Sequence, residues 1–316
     1  MKILANDGIS KMGISLLEEN GFQVLTTTVA QEQLGNYINQ NQVTGLLVRS
    51  ATKVNKNLID ECPGLKLIGR GGVGMDNIDV DYAKKKGIHV INTPSASSLS
   101  VAELVFAHLY GGVRFLYDAN RNMPLEGDSR FKQLKKSYGK GKELAGKTLG
   151  IIGFGRIGQA TAKLALGAGM KVLFFDPVLD KVSLTLTFFD GQTVTFHLTK
   201  TEKEELLKES DFITVHVPAQ KTYVLGKKEF ELMKDGVGII NAARGGVIDE
   251  VALVDALESD KVSFAGMDVY ESEPNPEIRI LMHPKISLTP HIGGATNEAQ
   301  DRIGLELAEQ IISYLK

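Results

Sequence analysis

The chain has 316 residues, with 36 Lys and Arg against 38 Asp and Glu for a net charge of −2, and a pI near 6.3. That balance gives no basic field and argues against nucleic acid as a partner, while the length allows two domains with cores of their own. Cys62 is the only cysteine, so no intramolecular disulfide can form and a reducing compartment is implied.

The opening residues, Met1 to Asp7, hold too short an apolar run for a signal peptide, and no later segment approaches a membrane span; the expectation is a soluble, cytoplasmic protein with no membrane partner. From residue 2 to 93, short β-branched runs alternate with helical patterns. Strands are expected at 3–5, 22–25, 45–49, 65–69 and 89–92, with a helix over 10–20 stopped by Gly21. Such alternation implies an α/β unit with a parallel sheet covered on both faces.

Two loops here lie where the carboxyl ends of strands would place them, the edge at which open α/β sheets bind ligands. Arg49-Ser50-Ala51-Thr52-Lys53 offers a guanidinium, hydroxyls and an ammonium suited to a phosphate or carboxylate. The alternative is a solvated loop. Gly71-Gly72-Val73-Gly74 could aim backbone N–H groups at a small anion.

Asn92-Thr93-Pro94-Ser95-Ala96-Ser97-Ser98 reads as an interdomain link. Ser100-Val101-Ala102-Glu103 then has the form of a capping box opening a long apolar helix to about Arg121. Residues 122–146, rich in Lys, Gly and Ser, read as a surface arm.

The stretch from Lys147 to Gly158 is a strand that runs into a glycine-rich turn, followed by a helix over 159–169. Gly153, Gly155 and Gly158 have G-x-G-x-x-G spacing, which serves a tight turn, close approach of the backbone to a pyrophosphate, and packing of helix on strand. The next strand, 171–176, ends in Asp176, about 20 residues past the glycines, where a carboxylate accepts from the ribose 2′-hydroxyl of NAD and repels the 2′-phosphate of NADP. The bland reading of Asp176 is a turn former before Pro177.

Between 183 and 196, alternating residues flank Asp190-Gly191, which predicts a β-hairpin appended to this domain. Strands at 211–217, 237–241, 264–269 and 285–288 and a closing amphipathic helix over 296–315 complete the chain. His89, His108, His197, His216 and His283 show no metal-ligand spacing and read as structural or surface residues, so no metal is expected.

Three polar residues stand at the ends of the later strands: Arg244 in Asn241-Ala242-Ala243-Arg244-Gly245-Gly246, Glu273 in Tyr270-Glu271-Ser272-Glu273-Pro274, and His291 in Thr289-Pro290-His291-Ile292-Gly293-Gly294. Oxidising a 2-hydroxy acid needs a base for the hydroxyl proton and a cation for the carboxylate, and a carboxylate would orient the imidazole. Glu271 is a rival for that last role.

These motifs, with Leu47-Val48-Arg49-Ser50-Ala51-Thr52-Lys53, Gly74-Met75-Asp76-Asn77 and Ser100-Val101-Ala102-Glu103-Leu104, resemble the D-isomer-specific 2-hydroxyacid dehydrogenases over nearly the whole chain. The resemblance is strongest to the members that oxidise 3-phosphoglycerate to 3-phosphohydroxypyruvate. It implies two doubly wound parallel-sheet domains with a cleft between them: a substrate domain from residues 1–97 and 290–316, and an NAD-binding Rossmann domain over 98–289, the range into which the hairpin falls, that forms a homodimer. It also implies His291 as acid/base, Glu273 as its partner and Arg244 as carboxylate anchor. Gly153, Gly155, Arg156, Ile157, Gly158, Asp176, Ala242, Ala243, Asp268, Gly293 and Gly294 are the implied NAD contacts, with Asp268 near the nicotinamide carboxamide. Val73 and Gly74 are implied to hold the substrate carboxylate, and Arg49 and Ser50 to contact the substrate, Arg49 at its phosphate. The hairpin departs from the family pattern. The chain ends at Lys316 without the regulatory domain of longer members, which questions feedback inhibition by serine. A glyoxylate or hydroxypyruvate reductase on the same scaffold is the alternative within the class, and an NAD-sensing partner-binding protein is the alternative outside it.

Overall fold

Aliphatic runs without polar alternation are buried on both faces, which requires a parallel sheet with helices on either side. The computed structural model describes residues 1–316 and divides them into two units, 1–100 with 294–316, and 101–293. In chain order the first part contains β1 (Lys2–Ala5), α1 (Lys11–Glu19), β2 (Gln23–Leu25), α2 (Gln31–Gln40), β3 (Val43–Val48), α3 (Lys56–Glu61), β4 (Leu67–Arg70), α4 (Val80–Lys85), β5 (His89–Asn92) and α5 (Ser98–Val113). Then come α6 (Leu116–Glu126), α7 (Phe131–Tyr138), β6 (Thr148–Ile152), α8 (Arg156–Gly167), β7 (Lys171–Phe175), β8 (Lys181–Thr187), β9 (Thr193–Thr199), α9 (Lys203–Glu209) and β10 (Phe212–Val215). The chain closes with α10 (Lys227–Leu232), β11 (Val237–Asn241), α11 (Glu250–Glu258), β12 (Val262–Met267), α12 (Ile278–Leu281), β13 (Ile286–Leu288) and α13 (Asn297–Leu315).

The sheet of the first unit runs β2-β1-β3-β4-β5, parallel throughout. The two-residue period of a strand sends neighbours to opposite faces. Leu4, Leu46, Val48 and Ile68 therefore pack under α2 and α3, while Ile3, Leu47 and Leu67 pack with Leu17 of α1 and Ile303, Leu307 and Ile311 of α13. The second unit has a six-stranded parallel sheet, β13-β12-β11-β10-β6-β7. Leu149 and Ile151 face one core, with Phe174, Phe212 and Phe264; Ile152 faces the other, with Ile213, Val215, Ile239 and Met267. The order breaks between β10 and β6, where successive crossovers leave in opposite directions. That is the switch point at which such sheets take their ligands.

β8 and β9 pair antiparallel from Lys181↔Thr199 to Thr187↔Thr193, as a two-stranded sheet of their own. Asp190-Gly191 lies in the turn between them, inside a wider loop than a two-residue reversal: the Phe188 N–H donates to the Gln192 carbonyl at 2.8 Å and the Gly191 N–H to the Phe188 carbonyl at 3.0 Å.

Two expectations for the region after the link are corrected. The helix opens at Ser98 rather than Ser100, and the Ser100 hydroxyl pairs with the Thr296 hydroxyl at 2.8 Å instead of capping. It does not continue to Arg121, because Phe115 turns left-handed, with φ of 55°, and α6 starts afresh. The arm over 122–146 lies mostly at the surface, as expected, and holds the end of α6 and all of α7. No single helix is long and apolar enough to cross a membrane.

Candidate active site

The glycine turn closes the space between β6 and α8. Gly153 has φ of 89°, and a Cβ on it would overlap the His216 carbonyl at the end of β10, so no other residue fits there. Gly158 likewise rests on the Gly153 carbonyl. Gly155 is different: nothing lies within 4 Å of the position its Cβ would take. It caps α8 with no side-chain hydrogen bond, so no side chain of the cap residue occupies the first N–H groups of that helix, at Arg156 and Ile157, an arrangement that fits a pyrophosphate.

Asp176 stands at the end of β7. Its Oδ2 accepts from the Phe154 N–H at 2.7 Å, and Oδ1 from the N–H groups of Val178 at 2.9 Å and Leu179 at 3.1 Å. Partial burial pushes its pKa up, but those three bonds outweigh it and hold the carboxyl below its ordinary value. The ionised group is thus fixed beside the glycine turn, and Oδ2 keeps an acceptor position for a ribose hydroxyl.

At the carboxyl edge of β11, β12 and β13, loops from neighbouring strands meet. The Asp268 N–H donates to the Asn241 carbonyl at 2.9 Å, which ties the first two loops together. The buried Asp268 carboxylate accepts from the Thr289 hydroxyl at 2.7 Å, the Ile292 N–H at 2.8 Å and the Gly293 N–H at 2.8 Å. These bonds hold His291 in a left-handed backbone conformation, φ 55°, that a residue with a Cβ adopts only when its surroundings impose it. The His291 Nδ1 lies 2.8 Å from Glu273 Oε2, while Glu273 Oε1 accepts the Tyr270 N–H at 3.0 Å. Tyr270 in turn donates its hydroxyl to the Thr289 carbonyl at 2.9 Å; burial first, and then the charge of Asp268, pushes that phenol up to about 12, so it remains a donor.

The imidazole is therefore aimed from behind, with Nε2 left for a reacting proton. Both partners are partly open, with side chains 44% and 35% exposed, beside a cavity of about 450 Å³ lined by Tyr270, Glu273, Pro274, Leu288 and His291. Arg244 leaves β11 through a turn in which Asn241 Oδ1 accepts the Ala243 N–H at 3.1 Å and Arg244 Nη1 donates to the Ala243 carbonyl at 2.6 Å. Ala242 and Ala243 are buried in that turn.

In the first unit, Asp7 shapes the loop after β3: its carboxylate takes the N–H groups of Arg49 at 2.6 Å and Thr52 at 3.1 Å, and the Thr52 hydroxyl at 2.6 Å. Asn77 grips the same loop through the Arg49 and Thr52 carbonyls, at 2.7 and 2.6 Å. Ser50 is exposed on it. After β4, the Val73 carbonyl accepts from Asn92 Nδ2 at 2.8 Å, Val73 is exposed, and Gly74 follows it. Gly294 belongs to this unit, with its carbonyl accepting from Gln300 at 3.1 Å.

Comparison with known proteins decides the family. Residues 106–293 match the D-isomer specific 2-hydroxyacid dehydrogenase, NAD binding domain. The chain is 42% identical to the hydroxypyruvate reductase of Thermotoga maritima, over 99% of this chain and 98% of that protein. The chain belongs to the D-isomer specific 2-hydroxyacid dehydrogenases. It is 40% identical to the D-3-phosphoglycerate dehydrogenase of Methanocaldococcus jannaschii, but spans only 58% of that longer protein. It shares its fold with the Aquifex aeolicus D-lactate dehydrogenase solved with NAD and lactic acid, at 30% identity and a TM-score of 0.74, over 100% of this chain and 95% of that one. The dehydrogenase is NAD-dependent, and the open turn at Gly155 and the fixed carboxylate of Asp176 suit that cofactor.

Several residues that build the site carry no signal in the sequence. Asp7 and Asn77 act on backbone groups 25 to 45 positions away; Asp268, which the resemblance placed near the nicotinamide, also holds the N–H groups of 292 and 293, 24 and 25 positions away. Arg70 ends β4 opposite Val48, and its Nε donates to Asn77 at 3.3 Å. It brings a second guanidinium to the strand edge that bears Arg49, and its place as the last residue of a strand was the available clue. His108 is buried under the dyad's loop, between Ser287 at 2.9 Å and Thr289 at 3.1 Å, and burial lowers its pKa.

Proposed function

We propose that this dehydrogenase oxidises D-3-phosphoglycerate to 3-phosphohydroxypyruvate. The observation that carries the reading is the pair of arginines at adjacent strand ends: Arg49 after β3, whose backbone carbonyl accepts from Asn77, and Arg70 at the end of β4, whose guanidinium donates to the Asn77 side chain. The Arg49 side chain makes no ion pair within the chain, and a phosphate dianion is the ligand such a set fits best. Val73 and Gly74 offer backbone N–H groups to the carboxylate, with Arg244 as its anchor.

His291 Nε2 takes the proton of the C2 hydroxyl, and Glu273, bonded at Nδ1, stabilises the imidazolium that results. The turn at Gly155 and the carboxylate of Asp176 would hold NAD, which when bound would supply the acceptor for the hydride on C2. On this reading the enzyme works in the cytoplasm, as a homodimer, at the entry to serine biosynthesis. Reduction of hydroxypyruvate or glyoxylate is the second reading, favoured by the Thermotoga relative.

The two are separated by assaying 3-phosphoglycerate against glycerate, and phosphohydroxypyruvate against hydroxypyruvate and glyoxylate, with nicotinamide absorbance as the signal. Arg49→Ala should lower kcat/KM for the phosphorylated pair by roughly 10- to 100-fold, the worth of one hydrogen bond to a charged group, and leave the unphosphorylated acids unaffected. Equal loss on both classes, or preference of the unaltered enzyme for hydroxypyruvate, favours the reductase.

A further inference from the structure

We infer that Glu250, together with Glu271, is a positioning residue for the Glu273–His291 pair. Glu250 is the first residue of α11 and is buried, 5% exposed. Its Oε1 accepts the Glu271 N–H at 2.8 Å, and Glu271 Oε1 accepts the Glu250 N–H at 3.1 Å, so each carboxylate holds the other residue's backbone. Immediately before this clamp, Tyr270 gives its N–H to Glu273 Oε1 at 3.0 Å. Residues 270 and 271 are thereby fixed from two sides, and Glu273 is left with only Oε2, 2.8 Å from the imidazole, to place.

The clamp is an unusual way to hold a loop. Glu250 Oε2 is buried with no partner, and burial first, then the charges of Glu271, Glu277 and Glu273, raise the Glu250 pKa despite the Glu271 N–H. Glu250 is disfavoured as a charged group in that setting. What it supplies is an oxygen acceptor at one point, the Glu271 N–H, next to the residues that carry the dyad.

The inference rests on His291 and Glu273 being the acid/base pair, and its test separates the two. With 3-phosphoglycerate and NAD, or hydroxypyruvate and NADH, Glu250→Ala should lower kcat by roughly 10- to 100-fold through loss of alignment, while KM changes little and NADH affinity is kept. Glu250→Gln retains the acceptor oxygen and should restore most of kcat, a rescue that a requirement for charge would not show. Glu271→Ala alters an exposed side chain, so the fold is safe, and it should lower kcat as Glu250→Ala does; the two losses should not add, because they break one clamp. Full kcat in either alanine variant, or a glutamine variant as slow as the alanine one, overturns the inference. If His291→Ala itself keeps full turnover, the acid/base reading fails first; if His291→Ala is inactive and Glu271→Ala is fully active, only the clamp is wrong.

Discussion

The corner formed by residues 268–293 and the ribbon of β8 and β9 belong to the same unit and are held in opposite ways. In the corner, a single carboxylate, Asp268, receives three donors from residues 21 to 25 positions away, and His108 and Tyr270 add their own bonds to Thr289. The ribbon bonds mainly to itself, through its ladder and the pairs Ser183–His197 and Thr185–Thr195. Only Val182, Leu184 and Leu198 near its base join the core, and Phe189 at its tip is fully exposed. The imidazole proposed as acid/base sits where neighbours over-determine the geometry, and the ribbon projects where they do not.

The largest effect expected from this contrast is on turnover. His291→Ala should remove general acid/base catalysis, roughly 100- to 10,000-fold in kcat or about 3 to 5 kcal/mol of barrier, with NADH affinity kept. Steady-state kinetics with a parallel NADH titration checks it, and turnover at the unaltered rate would show that the most heavily braced residue is not the reactive one.

How much of this was legible follows from the same contrast. The parallel sheets, the glycine turn and Asp176 were, because strand periodicity and glycine spacing are properties of consecutive residues. The Asp-Gly pair likewise falls in the turn of the ribbon, which bonds locally. What was not legible is every bond that crosses the chain: Asp7 to Arg49, Asn77 to Thr52, Glu250 to Glu271. These residues look like any acid or amide in a polar loop until the topology brings a backbone N–H or carbonyl to them. The break at Phe115 was hidden for another reason, since an aromatic residue in the left-handed region runs against local preference.

Next in size is the brace itself. Asp268→Ala would leave the Thr289 hydroxyl and the Ile292 and Gly293 N–H groups without their acceptor, Gly293 in a buried setting and the others in a partly buried one, and should destabilise the unit by about 3 kcal/mol. Urea unfolding followed by far-UV circular dichroism measures this. A loss no larger than that of a ribbon-tip substitution would mean the corner is not stabilised as its bonds suggest.

A buried histidine carries the comparison into pH. His216, at the end of β10, is wholly buried; Nε2 lies 3.1 and 3.3 Å from the hydroxyls of Thr214 and Thr161, Nδ1 has no partner, and burial pulls the imidazole down to about 3. As pH falls below the ordinary value of 6.5, the unfolded chain takes a proton that the folded one refuses, so stability drops by about 1.4 kcal/mol per pH unit from 6.5 toward 3. Between pH 6.5 and 5, wild type should therefore lose about 2 kcal/mol more than His216→Gln. Parallel slopes for wild type and His216→Gln would refute the assignment.

The smallest effects should lie within the ribbon and divide it in two. Leu184 is 2% exposed and packs into the core that Phe174 and α8 share, so Leu184→Ala should destabilise by about 2 kcal/mol. Phe189 touches solvent on all sides, and Phe189→Ser should change stability by less than about 0.5 kcal/mol. Neither should alter kcat, because no ribbon side chain bonds to the corner. A measurable change in turnover from Phe189→Ser would show that the tip is coupled to the reacting groups, and the division between braced corner and free ribbon would have to be withdrawn.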